Sequence, residues 1–367
     1  MRRLCILVAS HWSAQPAGAE LQVKALLERL IARGSFDIHY VARNIDPAYR
    51  PEGYSLHRIP AQRQISGYYM LDVPGVVRLL NRLQPDVIYH RVACAYTGAA
   101  AYFARRNSRR LVWHVSSDRD LMPLPWRLSW RLPQERLNHS MIEYGARRAD
   151  VVIVQNAEQA ALLRRHYGRS DAIHIPNFHP APAARIAKAS DRVIVCWVAN
   201  LKPLKQPDVF LRLASDFRYR ADVEFVMVGA QQMRGKAWDS LLTRMRNLPN
   251  LRYAGRQSQA AVDELLASAH LLVNTSVIEG FPNTFIQSWL REVPVLSLSV
   301  NPDGVFETGH YGICASGSYD RLRDAVEQLI GDSSLRNKIG ERASVFARER
   351  FSERNIEQII HVLESPL

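Results

Sequence analysis

Short apolar runs alternate with amphipathic segments along the chain, and this alternation is typical of the βαβ units of parallel sheets. Within residues 19–32 the apolar side chains recur at helical spacing, and Gly34 follows as a stop signal. The strands predicted in the first half of the chain are Leu4–Ala9, Phe36–Val41, Val87–Tyr89, Leu111–His114 and Val151–Val154.

A second alternating series begins after a Pro- and Ala-rich break at residues 181–190, whose composition is that of an interdomain linker. Its predicted strands are Val193–Val198, Glu224–Val228, Leu251–Tyr253, Leu271–Asn274 and Val295–Leu298. Its predicted helices are Pro207–Ala214, Lys236–Met245, Gln259–Ser268, Thr284–Arg291, Tyr319–Ile330 and Ser333–Arg348. We therefore predict two α/β domains, residues 1–180 and 191–349. The length of 367 residues agrees with two domains of about 150–200 residues each.

The composition, 47% hydrophobic and 23% charged, is that of a soluble globular protein. No stretch of about 18 apolar residues is free of charge, so no membrane-spanning helix is expected. The apolar run at the N-terminus ends at His11 and is too short for a signal peptide. The four cysteines are far apart and lack metal-ligand spacing, which predicts reduced and mostly buried thiols. We expect a cytoplasmic protein.

The net charge of +13 is unevenly distributed, because residues 1–180 carry +11 and residues 181–367 carry +2. The first half is therefore expected to meet an anionic partner, and nucleic acid, an anionic membrane surface and a diphosphate-bearing substrate are the candidates. Tryptophan, leucine and arginine interleave within Asp120–Asn138. This pattern indicates either a segment in a membrane interface at the inner face of the membrane or an interior helix capped by arginines.

The strand Leu271–Asn274 is followed by a loop that contains Gly280 and Pro282, and then by a helix that begins near Thr284. Such a loop presents backbone N–H groups and the positive end of a helix dipole, which suits an anion or sugar hydroxyls. Glu279 lies at the mouth of the loop, where a carboxylate can accept hydrogen bonds from vicinal hydroxyls. The alternative is that the glycine and the proline only shape a βα turn.

The string from Glu279 to Gln287 resembles the signature of family-4 retaining glycosyltransferases of the GT-B fold. That signature is Glu, then Gly-Phe-Pro/Gly-Asn/Leu, then a second Glu eight positions after the first. Here Gln287 stands in the second place. The resemblance implies that Glu279 contacts the donor sugar and that Gln287 bonds the donor ribose without a charge. The other donor-binding residues that it implies are Gly280, Phe281, Pro282, Asn283 and Thr284.

The segment after Val193–Val198 carries a second match. The family reads Gly-Arg-Leu here with a Lys four residues after the Leu; Lys205 matches that Lys, and Asn200 stands in the Arg position. A fixed Lys can stabilise the charge that develops on the leaving diphosphate, and Lys202 can supply the charge that Asn200 lacks. The alternative is that both lysines are solvated charges around a Pro turn.

In the first domain the resemblance implies three further parts of the site. Gly18 ends a segment similar to the family's first glycine loop, which would face the donor, although a plain helix cap is the alternative. His114 ends a strand similar to the one that carries a His near the donor sugar. Asp118 follows in a polar loop, and Arg91 ends another strand; both are expected to contact the acceptor.

The resemblance implies a GT-B fold, with two Rossmann-like domains facing each other across a deep cleft and the final segment, residues 350–367, crossing back to the first domain. It implies a retaining hexosyltransferase that moves a sugar from a nucleoside diphosphate sugar to a glycan or lipid-linked acceptor in cell-surface polysaccharide or lipopolysaccharide synthesis. No metal ion or other cofactor is implied, because Lys205 and backbone N–H groups can carry the diphosphate, and no Asp-x-Asp string occurs.

Three other classes stay open. The same fold hosts nucleotide-sugar epimerases. The positive charge alone favours a nucleic-acid-binding module, but no zinc spacing, RNA-binding aromatic motif or single basic helix accompanies it, so no nucleic acid partner is expected. Asn200 and Gln287 replace two family residues, which leaves a non-catalytic relative as the third.

Overall fold

The computed structural model describes residues 1–14, 17–60, 69–123, 133–182, 188 and 191–366. The chain divides into two units, of which unit 1 comprises Met1–Phe178 with Glu353–Leu367 and unit 2 comprises His179–Ser352. Unit 2 is thus inserted between the main part of unit 1 and its last helix. Within the predicted linker, residues 183–187, 189 and 190 lie outside the described residues.

Unit 1 is built on a seven-stranded sheet in which every strand pairs in parallel, in the order β3-β2-β1-β4-β5-β6-β7. Its strands are β1 Arg2–Ser10, β2 Phe36–Asn44, β3 Ser55–Arg58, β4 Val87–Arg91, β5 Arg110–His114, β6 Val151–Val154 and β7 Ile173–His174. Its helices are α1 Gly18–Arg33, α2 Val73–Leu83, α3 Ala95–Arg106, α4 Pro133–Arg148, α5 Ala157–Tyr167 and the last helix of the chain, α13 Arg354–Glu364.

The central strand β1 shows why this sequence forms a sheet that is covered on both faces. Cys5 and Leu7 lie in one apolar cluster, together with residues of α2, α3 and α5. Leu4, Ile6 and Val8 lie in a second cluster, with residues of α1 and α13. Because successive side chains of a strand point to opposite faces, a continuous apolar run serves both clusters at once.

The last helix, α13, belongs to unit 1 through apolar and ionic contacts. Its residues Ile356, Ile359, Ile360 and Leu363 are buried in the same cluster as α1. Two arginines of α1 also form ion pairs with acidic residues of α13 and with Glu353, which precedes it, in the pairs Arg29–Glu353, Arg29–Glu357, Arg33–Glu357 and Arg33–Glu364. The exposed ion pairs add little to stability compared with the buried isoleucines.

Unit 2 is built on a six-stranded parallel sheet in the order β10-β9-β8-β11-β12-β13. Its strands are β8 Val193–Val198, β9 Val223–Val228, β10 Leu251–Tyr253, β11 Leu271–Asn274, β12 Val295–Ser297 and β13 Gly312–Cys314. Its helices are α6 Pro207–Asp216, α7 Lys236–Arg246, α8 Gln259–Ser268, α9 Asn283–Trp289, α10 Val305–Gly309, α11 Tyr319–Gly331 and α12 Ser333–Arg350.

Each sheet therefore has the doubly wound topology of a Rossmann-like domain, which confirms the predicted α/β class. In both sheets the strand order reverses beside the first strand of the unit, between β1 and β4 in unit 1 and between β8 and β11 in unit 2. Ligands of open parallel sheets bind outside the carboxyl ends of the strands at such reversals. We therefore expect the predicted site residues to lie at these two reversal points.

Three general features bear on the expected class of protein. The four cysteines are free thiols as predicted, and Cys5, Cys94 and Cys196 are buried. Among the described residues, no helix is both long and apolar enough to cross a bilayer. In the same part of the chain, no three His, Cys, Asp or Glu side chains are grouped so that they could hold a metal ion.

Candidate active site

At the reversal point of unit 2, the loops that follow β8 and β11 are joined by hydrogen bonds. The first loop contains a short 3-10 turn, Pro203–Lys205, and the second runs from Thr275 to Pro282. The Val277 amide donates to the carbonyl oxygen of Leu204 at 3.0 Å. The two motifs that the sequence singled out separately therefore lie side by side at one edge of the sheet.

Lys205 and Glu279, the two residues predicted to act on the donor, are in direct contact. The Lys205 ammonium forms an ion pair with Oε1 of Glu279, and their side chains are only 16% and 19% exposed. The Ser276 hydroxyl donates to the same carboxylate oxygen at 2.7 Å. A half-buried pair of this kind is screened less by water than a surface pair, so its attraction is stronger.

Thr275 holds the Lys205 loop against the sheet. The indole N–H of Trp197, on β8, donates to the Thr275 hydroxyl oxygen at 2.9 Å. That hydroxyl donates in turn toward the carbonyl oxygens of Lys205 and Gln206, at 2.6 and 3.0 Å. Sequence reasoning missed Thr275, Ser276 and Trp197, and the available signal was two hydroxyl residues at the carboxyl end of a buried strand.

Asn200 and Lys202 lie in the same loop as Lys205. The side-chain oxygen of Asn200 accepts a hydrogen bond from the backbone N–H of Ala230 at 3.3 Å, which ties the end of β8 to the end of β9. Lys202 is half-buried, and its carbonyl oxygen accepts from the Lys205 amide at 2.9 Å. Asn200 thus bonds to backbone, whereas the Arg that the family places there would add a charge.

The loop residues after Glu279 are largely internal. Gly280 and Pro282 are buried, and Phe281 is 4% exposed, with its ring 4.8 Å from that of Phe351 and 6.0 Å from that of Trp289. The ring of Phe281 is therefore packed among core side chains. Any contact with the donor is left to its backbone.

Helix α9 begins at Asn283, one residue before the predicted start. Asn283 and Thr284 are half-buried in its first turn, and the Asn283 side chain forms a hydrogen bond with His179. Gln287 is 5% exposed one turn further on, and its backbone carbonyl oxygen accepts a hydrogen bond from the Arg291 guanidinium at 2.9 Å. The position that the family fills with Glu is therefore an enclosed one, which an uncharged amide occupies at a lower desolvation cost than a carboxylate.

In unit 1, His114 and Arg91 end neighbouring strands, β5 and β4, and both are buried. His114 Nδ1 lies 2.8 Å from the Tyr89 hydroxyl and 3.4 Å from Arg91 Nη1. Burial, and then the neighbouring guanidinium, lower the pKa of His114 well below its usual value, so the imidazole is neutral at pH 7. Arg91 Nη2 donates to the Asn177 side-chain oxygen at 2.7 Å.

The Arg91 guanidinium, predicted to meet the acceptor, is 2% exposed, and no carboxylate among the described residues forms an ion pair with it. Its nitrogens face protein partners at the end of β4, and its contact with the acceptor stays a prediction. A buried cation without a carboxylate partner is costly, and the hydrogen bond that Arg91 donates to the Asn177 side-chain oxygen offsets only part of that cost. The environment of Arg91 thus favours an anion nearby.

Asp118 and Gly18 lie at the carboxyl ends of β5 and β1. Asp118 opens a 3-10 turn, and Gln159 donates to its carboxylate at 3.1 Å, while burial raises its pKa to about 6. Gly18 is the first residue of α1, and the preceding Ala17 provides no side-chain cap. Residues 15 and 16 of this loop lie outside the described residues.

Two family models match the chain. The model for glycosyl transferases group 1 covers residues 182–346, and the model for the glycosyl transferase 4-like domain covers residues 17–178. The chain is a nucleotide-sugar glycosyltransferase of the GT-B fold.

Individual relatives agree with this assignment. The glycosyltransferase is 25% identical to an alpha-galactosylglucosyldiacylglycerol synthase of Streptococcus pneumoniae over 332 residues, which are 82% of this chain and 84% of the relative. WaaG, a glycosyltransferase involved in lipopolysaccharide biosynthesis, matches 99% of this chain and 100% of its own with a TM-score of 0.79 at 13% identity. Anabaena HepE, solved in complex with UDP and glucose, matches 100% of both chains with a TM-score of 0.77 at 18% identity.

Proposed function

We propose that this glycosyltransferase moves a sugar, with retention at the anomeric carbon, from a nucleoside diphosphate sugar to a glycan or lipid-linked acceptor in cell-surface polysaccharide or lipopolysaccharide synthesis. The observation that carries the proposal is the adjacency of Lys205 and Glu279 at the carboxyl edge of β8 and β11. The names of the relatives add support, since one is a glycolipid synthase and another takes part in lipopolysaccharide synthesis.

Within unit 2, the proposed roles follow from charge. Lys205 binds the diphosphate and stabilises the negative charge that grows on the leaving phosphate, with Lys202 as a second cation in the same loop. Glu279 accepts hydrogen bonds from hydroxyls of the donor sugar, and Gln287 bonds the ribose. Asn200, bonded to Ala230, shapes the loop that carries the two lysines. The HepE complex with UDP and glucose supports a uridine nucleotide among the donors to be tested.

Within unit 1, the proposed roles rest on neutral and cationic groups at the carboxyl edge. We assign the neutral His114 to the donor sugar, to which it can offer a hydrogen bond without carrying a charge of its own. We assign Arg91 and Asp118 to the acceptor, and Gly18, at the start of α1, to the donor phosphates. We place the enzyme in the cytoplasm, with the basic first half toward an anionic membrane surface.

The test begins with thermal-shift titrations of the whole protein against UDP, ADP and GDP and their sugars. Stabilisation by one nucleotide series identifies the donor, and the configuration of the product, read by NMR, tests retention.

Lys205→Ala is expected to lower turnover roughly 100-fold, because the growing phosphate charge loses its fixed cation. Lys338→Ala, an exposed lysine of α12, is the matched control and should keep wild-type turnover. Near-normal turnover of Lys205→Ala would contradict the assigned role.

A further inference from the structure

The Lys205–Glu279 pair joins two groups that the proposed function assigns to different parts of the donor. Lys205 is assigned to the diphosphate and Glu279 to the sugar, yet each is the other's ion-pair partner in the structure. A bound diphosphate has to compete with the Glu279 carboxylate for the Lys205 ammonium. The pair is mostly shielded from water, so this competition is energetically significant.

The two oxygens of the Glu279 carboxylate are used unequally. Oε1 receives both the Lys205 ammonium and the Ser276 hydroxyl, whereas Oε2 makes no hydrogen bond with any residue that the structure describes. Ser276 is 1% exposed, and its own amide donates to the Asn274 side chain at 3.1 Å, so its position is fixed. When Lys205 turns to a phosphate, Ser276 can keep Oε1 in place while the carboxylate accepts sugar hydroxyls.

We propose that Glu279 makes the enzyme discriminate between the nucleotide sugar and the nucleoside diphosphate that is left after transfer. Both ligands draw Lys205 away from Glu279. Only the nucleotide sugar then supplies hydroxyls that satisfy the released carboxylate. The nucleoside diphosphate leaves Glu279 without its cation and supplies no hydroxyls in its place, so Glu279 weakens product binding selectively. This inference rests on the proposed function, because it takes Lys205 as the diphosphate ligand.

The experiment is a double-mutant cycle on the affinity for UDP, ADP and GDP and for their nucleotide sugars, measured by calorimetry. The inference requires that Glu279→Gln tightens binding of the diphosphate but not of its nucleotide sugar, and an equal gain for both ligands would overturn it. Glu279→Gln keeps the size of the side chain and removes its charge, and it is expected to bind the preferred diphosphate about tenfold more tightly, equivalent to about 1.4 kcal/mol. In a Lys205→Met background, the same Glu279→Gln change is expected to alter affinity by less than about twofold, because no ammonium is left to compete for.

Two further results would overturn the inference. One is an unchanged or weaker affinity in a folded Glu279→Gln variant, which would make the pair a permanent brace between loops. The other is an equal gain in the Lys205→Met background, which would mean simple repulsion between carboxylate and phosphate. Glu279→Ala, followed by thermal unfolding, replaces Glu279→Gln if that variant does not fold. If none of the three diphosphates binds to the wild type or to the variants, the proposed function is refuted, and the inference fails with it.

Discussion

At the scale of single residues, the ionisation of Asp118 makes the stability of the folded protein depend on pH. Burial raises its pKa from the ordinary value of 3.8 to about 6, so the folded protein holds this proton to a higher pH than the unfolded chain does. The folded state therefore loses stability through Asp118 as the pH rises from about 4 to about 6, and the loss stays constant above that range.

Asp118→Asn removes this loss, so the variant's gain in stability over the wild type should grow between about pH 4 and pH 6 and then level off. Urea unfolding midpoints measured from pH 4.5 to pH 8 test it. Asp239→Asn, on the exposed face of α7, reports the background effect of deleting one carboxylate. A difference that does not change with pH would show that Asp118 is not buried enough to matter.

The sequence predicted those residues whose chemistry is specific to a motif and missed those that support them. Lys205 and Glu279 were predicted because the strings around them resemble a family signature. Thr275 and Ser276 are ordinary hydroxyl residues after a strand, and their significance depends on the partners that the fold brings to them. For the same reason the sequence placed Arg91 and His114 at strand ends but did not predict that both would be buried.

At the scale of elements, helices α3 and α4 pack closely because glycines lie at their contact. A Cβ at Gly145 would lie 2.6 Å from the carbonyl carbon and oxygen of Thr97, and one at Gly98 would lie 2.5 Å from the carbonyl oxygen of Met141. Backbone atoms of a neighbouring helix cannot yield as a flexible side chain can. The two helices would have to separate to admit a methyl group.

Gly145→Ala is therefore expected to destabilise unit 1 by about 1–3 kcal/mol, as overpacking does elsewhere. Gly331→Ala is the matched control, because that helical glycine has no neighbour within 4 Å of an added Cβ. The control should be neutral or stabilising by up to about 1 kcal/mol. Denaturant unfolding of both variants decides the matter, and equal stabilities would show that α3 and α4 tolerate a wider spacing.

Several elements have the predicted bounds in full. They are the strands Val151–Val154, Val193–Val198, Leu251–Tyr253 and Leu271–Asn274 and the helix Gln259–Ser268. The three strands that were missed, β3, β7 and β13, have four, two and three residues and lie at sheet edges. Such short segments carry few side chains from which to read a period, and their pairing depends on a neighbour that is distant in sequence. The edge strand β10 is equally short, yet it was predicted.

At the scale of the whole molecule, a group of arginines on unit 1 belongs to the basic half of the sequence. A depression of about 750 Å³ in unit 1 is lined by Arg105, Arg147, Arg148 and Arg169, with Asp171 as the acidic residue beside them. Three of these arginines come from the last turns of α3 and α4. This surface fits the proposed attraction to anionic lipid headgroups, which weakens as salt screens the charges.

The whole protein is accordingly expected to co-sediment with vesicles that contain phosphatidylglycerol, less so at 0.5 M than at about 0.1 M salt, and not with pure phosphatidylcholine. Replacing Arg105 and Arg148 by Glu should weaken this binding more than replacing Arg244 and Arg246 by Glu, an equal charge change on α7 of unit 2. Equal losses in the two double variants would leave only the net charge as the cause. Equal binding to neutral vesicles would exclude an electrostatic attachment.

The insertion of unit 2 before α13 also sets the order in which the chain can mature during synthesis. The ribosome delivers the seven strands of unit 1 first, while the side of the sheet that Ile359, Ile360 and Leu363 will cover is still open. Unit 2 is translated in full before those residues emerge. The nascent first unit therefore exposes an apolar face for the time needed to make the 174 residues of His179–Ser352. We expect chaperones to bind this apolar face during that interval. They should release the chain once α13 has packed against the sheet.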